Sequence, residues 1–210
     1  MVHTRYPIPA VRRHQVLSTI NKSRFITTLA HAPSVEETKQ FIQEMQSDYR
    51  DATHNCWAFV AGPPGDTARI GCSDDGEPQN TAGKPMLQTL LYCGVGEIAA
   101  VVTRYFGGTK LGTGGLVRAY SGMVKLGLDS LPLAEKIEKI RLRVLAEYGF
   151  IDRLKAILPD YETRIMFETY AAEAEFVLEL PVENQYGLKQ ALAEISGGRM
   201  LVEPEGRPET

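Results

Sequence analysis

The residues best suited to hold an anion lie between Thr103 and Tyr120, in the run TRYFGGTKLGTGGLVRAY. Five glycines (Gly107, Gly108, Gly112, Gly114 and Gly115) crowd its middle. Glycine lets the backbone turn tightly and approach a ligand closely. The run reads as strand, loop and helix, and the unpaired N–H groups at a helix start favour negative charge. Arg104, Lys110, Arg118 and Lys125 are the charged residues between Ile98 and Leu128, with no Asp or Glu among them. Arg104, Gly107, Gly108, Lys110, Gly112, Gly114, Gly115 and Arg118 are therefore the candidate phosphate or nucleic-acid contacts. The pattern is neither a P-loop nor a dinucleotide fingerprint. A tight turn carrying solvated charges is the competing reading.

A second segment, SDDGEPQNTAGKP from Ser73 to Pro85, also exceeds what a plain turn requires. Asp74, Asp75 and Glu77 could bind a hard cation or act as a base, and Lys84 adds positive charge. EF-hand spacing is absent and Asp-Gly is a common turn, so an ordered turn is preferred and no metal is assigned. The loop could also lie beside the glycine loop and share its site. His54, Cys56, Cys72 and Cys93 lack the Cys-x-x-Cys pairing of zinc sites. Neither Gly-x-Ser-x-Gly nor His-Glu-x-x-His occurs. No catalytic residue and no cofactor are assigned, and whether the protein is an enzyme is left open.

The elements that must position these residues follow from the hydrophobic pattern. Gln15–Ala30 predicts two strands joined at Asn21–Ser23. Ser34 and Glu37 form a capping-box pattern before a helix with Phe41, Met45 and Tyr49 on its inner stripe. His54–Ala61 predicts a central strand, with Trp57 and Phe59 on one face and Cys56, Ala58 and Val60 on the other. Arg69–Cys72 is a short strand. A helix begins at Lys84 or Pro85, with Met86, Leu90 and Cys93 inward. Glu97–Phe106 is a strand, 107–115 a loop, and Leu116–Leu131 a helix. Its buried face carries Leu116, Tyr120, Met123 and Gly127, while Arg118, Gly122 and Lys125 share another. After Pro132 the pattern restarts as βαββαβ, the ferredoxin-like order, within residues 139–203. The fold class is thus α+β with two domains, 1–135 and 136–210. The tail EPEGRPET is expected to fray.

Composition sets the outer bounds. The 210 residues are 43% hydrophobic, an ordinary globular value that argues against disorder of the whole chain. The net charge of −3 divides into +1 for residues 1–135 and −4 for 136–210. That excludes a uniformly basic surface but allows a local basic patch. Three scattered cysteines make no disulfide framework and favour a reducing compartment. No apolar run has membrane-spanning length, and the N-terminal residues have charges and prolines where a signal peptide needs an apolar core. A cytoplasmic protein with no membrane contact is expected.

KSRFI (Lys22–Ile26), SDDGEP (Ser73–Pro78), TAGKPML (Thr81–Leu87) and VVTRYFGGTKLGTGGLVRAY (Val101–Tyr120) together resemble the IMPACT family, in particular its bacterial, YigZ-like members. The resemblance covers about residues 15–130, and the remainder is similar to the smaller C-terminal domain of bacterial members. It implies an N-terminal fold like domain 2 of ribosomal protein S5, and a ferredoxin-like second domain. That pair of folds also ends translation elongation factor G. Eukaryotic members regulate translation initiation through a kinase activator absent from bacteria, so that mechanism does not transfer.

Two functions are consistent with these features. One is a regulator of translation that binds RNA or the ribosome through the basic glycine loop, with Tyr105 or Phe106 stacking on bases and the acidic second domain contacting protein. The other is an enzyme or sensor that binds a phosphorylated small molecule or nucleotide at the same loop. An open basic face favours the first and a closed pocket the second.

Overall fold

The structure is a computed structural model and describes residues 4–205. The chain forms two compact units, divided between Lys136 and Ile137. It opens with a short strand, β1 (Arg5–Pro9), which pairs with β7 (Leu133–Ile137) in a two-stranded ribbon. Neither strand follows from the hydrophobic pattern. β1 contains two prolines, and its partner lies more than a hundred residues away.

β2 (His14–Ile20) and β3 (Ser23–His31) form a hairpin whose two turn residues, Asn21 and Lys22, have φ of 44° and 66°. Positive φ at both positions matches the right-handed twist of the flanking strands. α1 (Val35–Asp48) follows, and the Ser34 side chain accepts from the Glu37 N–H as the capping pattern predicts. Tyr49 ends the helix half-buried and packs against the same core as Phe41 and Met45, as the inner stripe predicts. β4 (His54–Val60) and β5 (Ile70–Ser73) come next, then α2 (Gly83–Leu91), β6 (Ile98–Tyr105) and α3 (Gly112–Asp129).

These strands make one antiparallel sheet in the order β2-β3-β6-β4-β5. β6 is central and buried along nearly its whole length. Its even alternation feeds two cores. Val102 and Ala100 join Phe25, Cys56, Tyr120 and Met123 beneath α2 and α3. Val101 and Ala99 join Phe41, Met45 and Phe59 beneath α1. Trp57 and Phe59 stack at 5.9 Å on the α1 side, the face that alternation assigns them. Each fully buried large side chain stabilises the fold by about 1.5–3 kcal/mol.

In the second unit, β8 (Lys139–Ala146), α4 (Ile151–Ile157), β9 (Arg164–Tyr170), β10 (Ala174–Pro181), α5 (Gln185–Ser196) and β11 (Leu201–Pro204) realise the βαββαβ pattern. The sheet order is β11-β8-β10-β9, antiparallel throughout. In ferredoxin-like terms this is 4-1-3-2. Leu142, Val144, Phe176 and Leu178 alternate inward against Leu154, Leu188 and Leu192 of the helices. Glu203 and Pro204 belong to β11, and the rest of the tail expected to fray lies, from residue 206, outside the described residues. No helix among the described residues is long and apolar enough to cross a membrane.

Candidate functional site

The glycine-rich run is shorter as a loop than its composition suggests. α3 begins at Gly112, so Gly112, Gly114 and Gly115 form its first turn instead of belonging to the loop. The packing of Leu116, Tyr120 and Met123 outweighs the poor helix propensity of glycine there. Leu111 precedes the helix and caps none of its N–H groups with a side chain. Gly108 and Gly112 have φ of 87° and 70°. A Cβ on Gly107 would stand 1.9 Å from the Lys22 carbonyl oxygen. The glycine loop and the β2–β3 hairpin tip are thus in direct contact. The Gly107 N–H donates to Ser23 Oγ at 3.2 Å.

Arg104 does not reach the surface. Its side chain is 5% exposed and its Nη1 donates to Glu77 Oε1 at 2.6 Å. Nη2 donates to Ser23 Oγ at 3.3 Å, and the guanidinium lies between the rings of Phe25 and Phe106, at 5.6 and 5.5 Å. Its Nε is buried without a partner. Cross-strand register explains the placement. Phe25, Arg104 and His54 are opposite one another on β3, β6 and β4, so all three side chains share the α2–α3 face. Arg104 is therefore a structural cation, while Lys110 and Arg118 stay exposed.

The second loop meets the first through Glu77. Its Oε1 also accepts from Tyr120 Oη at 2.7 Å. One carboxylate oxygen thus ties the 73–83 loop to the end of β6 and to α3. Its other oxygen lies 3.8 Å from His54 Nε2. His54 Nδ1 is 2.8 Å from the Asp75 carbonyl and must donate to it, so in the neutral ring Nε2 is the acceptor. Burial drives the Tyr120 hydroxyl and the Cys56 thiol far above their ordinary ranges, and neither ionises near neutrality.

The three carboxylates of this loop do not converge. Asp74 Oδ1 accepts from the N–H groups of Ala82 and Gly83, both at 2.9 Å, and Oδ2 from Asn80 at 2.8 Å. It caps α2 from eight residues upstream, where Ala82 has no side chain to do so. Burial alone would raise its pKa, but these backbone N–H groups outweigh it and hold the carboxylate below its usual value. Asp75 Oδ2 accepts from the Asn55 N–H at 2.6 Å. No group of three His, Cys, Asp or Glu among the described residues could hold a metal ion. Lys84 projects from the first turn of α2, exposed.

Sequence reasoning named Glu77 and Arg104 but not their pairing, and it passed over Ser23 and Lys22 as a hairpin turn. The Lys-Ser step inside KSRFI was the available signal.

The site and both units coincide with known families. The chain matches the Impact N-terminal domain over residues 21–128, which contain both loops. Residues 144–199 match a domain of unknown function, DUF1949. The chain belongs to the IMPACT family. It is 43% identical over 185 residues to the Escherichia coli IMPACT family member YigZ, covering 88% of this chain and 91% of that one. It is 36% identical over 184 residues to the Bacillus subtilis member YvyE, covering 83% of each chain. A crystal structure of a hypothetical protein, 40% identical, superposes with a TM-score of 0.68 over 99% of this chain and all of that one.

Proposed function

We propose that this protein acts in translation by binding RNA, free or on the ribosome, through the open basic face around the glycine loop. The carrying observation is the charge of that face. From Asn80 to Leu128 the one acidic residue is Glu97, which is 4% exposed and bound to Tyr6 and His31. The exposed cations Lys22, Lys84, Lys110, Arg118 and Lys125 have no carboxylate partner among the described residues. Arg12 and Arg13, beside α1, are by contrast neutralised by Glu44 and Asp48. Of these, Lys110 and Arg118 bracket the uncapped start of α3 in sequence, and Lys22 belongs to the hairpin tip that touches Gly107, an arrangement that suits phosphate. The loop itself is open: Gly108, Thr109, Lys110 and residues 112–114 are all exposed.

Ribosome co-sedimentation and RNA binding across a salt series test this reading. Binding should weaken steeply with salt, and each lost phosphate contact should lower the slope by about one. Lys110→Glu with Arg118→Glu should abolish it. Absence of binding at low salt, or indifference to that double variant, overturns the proposal.

A second reading rests on the start of α3, whose N–H groups have no side-chain cap and lie between the exposed Lys110 and Arg118 in sequence. Those groups would hold a phosphorylated small molecule in place of RNA. Stabilisation by a nucleotide or sugar phosphate beyond that given by sulfate, lost in Lys110→Glu with Arg118→Glu, would favour it.

A further inference from the structure

A cleft of about 690 Å³ runs between α2 and α3. Its walls include Gln88 and Tyr92 on one side and Val117, Ser121 and Lys125 on the other, with Leu133 at its edge. We propose that this cleft receives the bases of single-stranded RNA, with Tyr92 as a stacking plate and Lys125 and Lys84 on the flanking phosphates. The proposal rests on the RNA reading above and adds the strandedness of the ligand and a second half of the site.

Tyr92 follows the last turn of α2 and is 88% exposed, and Val117 and Leu133 are 37% and 49% exposed beside it. An aromatic ring held in solvent at the rim of a cleft suits stacking, which accepts any base. A duplex keeps its bases stacked inside and would present phosphates to these apolar groups. The charge pattern agrees. Lys125 lines the cleft and Lys84 precedes Pro85 of its wall, both exposed and without ion-pair partners among the described residues, and Asp129 is the one carboxylate in the wall. An amphipathic helix is the poorer occupant. It needs a continuous apolar row at helical spacing, and Gln88, Thr89 and Ser121 interrupt one here. The cleft and the glycine loop share α3, which starts at Gly112 and lines the cleft with Val117, Ser121 and Lys125. From Gly112 to Lys125 the helix advances about 20 Å, room for several nucleotides.

Fluorescence anisotropy with the full chain would compare a labelled, unstructured 12-nucleotide RNA with the same sequence as a duplex. The single strand should bind at least ten-fold tighter at equal salt. Tyr92→Ala should weaken it by roughly 5- to 150-fold, the range for loss of one stacked base, while Tyr92→Phe retains binding. Because Tyr92 is almost fully exposed, its replacement leaves the fold intact, which circular dichroism checks. If Tyr92→Ala binds normally while Lys110→Glu with Arg118→Glu abolishes binding, the cleft is overturned and the RNA reading stands. Equal affinity for duplex and single strand also overturns it. No binding of either RNA at low salt overturns both. An acidic helical peptide that binds in a Tyr92-dependent way, where RNA does not, would assign the cleft to a protein partner instead.

Discussion

Glu77 and Arg104 face each other with side chains 4% and 5% exposed, so each depends on the other for its charge to be tolerated. Removing one partner of such a pair strands the other in the interior. Arg104→Ala should therefore destabilise the first unit by about 3–5 kcal/mol in chemical denaturation. Glu77→Gln keeps an acceptor for Tyr120 but leaves the Arg104 charge buried without its counter-charge, and should also cost about 3–5 kcal/mol. Asp74 supplies a pH dependence whose sign follows from its geometry. Its folded pKa lies below the ordinary carboxylate value, so its stabilisation is complete above about pH 4 and is lost as pH falls through the folded value. Glu97 has the same sign: burial opposes ionisation, but Lys136 and His31 outweigh it. The melting temperature should hold level from neutrality to about pH 5 and drop below pH 4. Asp74→Asn should melt lower at neutrality and converge with the parent in acid. Thiol labelling gives an independent check on burial. Cys72 is exposed, Cys93 half-buried and Cys56 buried, so native protein should label at Cys72 first and at Cys56 only on unfolding.

At the scale of elements, the two loops differ in what their glycines are for. Alanine at Gly107 would drive a Cβ into the Lys22 carbonyl, and the hairpin tip and loop would have to part. A cost of roughly 1–3 kcal/mol is expected. Alanine at Gly114 would meet nothing nearer than the Arg118 guanidinium at 3.6 Å. It should raise the melting temperature slightly, since alanine outranks glycine in a helix by about 1 kcal/mol. The same contrast explains what the sequence disclosed. Alternation and capping located β2 to β6, α1 and the whole second unit, because each pattern is local. The start of α3 was set too late, because a turn with three glycines is helical only through the packing of residues further on. β1 and β7 were not found, since their pairing is remote and Pro7 and Pro9 leave no alternation to read. Arg104 looked like its basic neighbours. Its burial depends on an acid 27 residues earlier, which no spacing rule connects.

The two units each have a closed hydrophobic core, which carries a prediction for the whole molecule. A fragment beginning at Lys139 should fold by itself and unfold in one cooperative transition followed by circular dichroism. The first unit is built differently. Its central strand, β6, pairs with β3 on one side and β4 on the other, and it is the last of these five strands along the chain. When the chain has been made only as far as Gly96, the β2–β3 and β4–β5 hairpins exist with nothing to join them. Both inner edges then stand open, ready to pair with any extended chain nearby. Insertion of residues 98–105 closes both edges at once and brings Arg104 to Glu77. Such distant pairing makes for slow folding, and nascent chains stopped before β6 should be the species that aggregate or recruit chaperones.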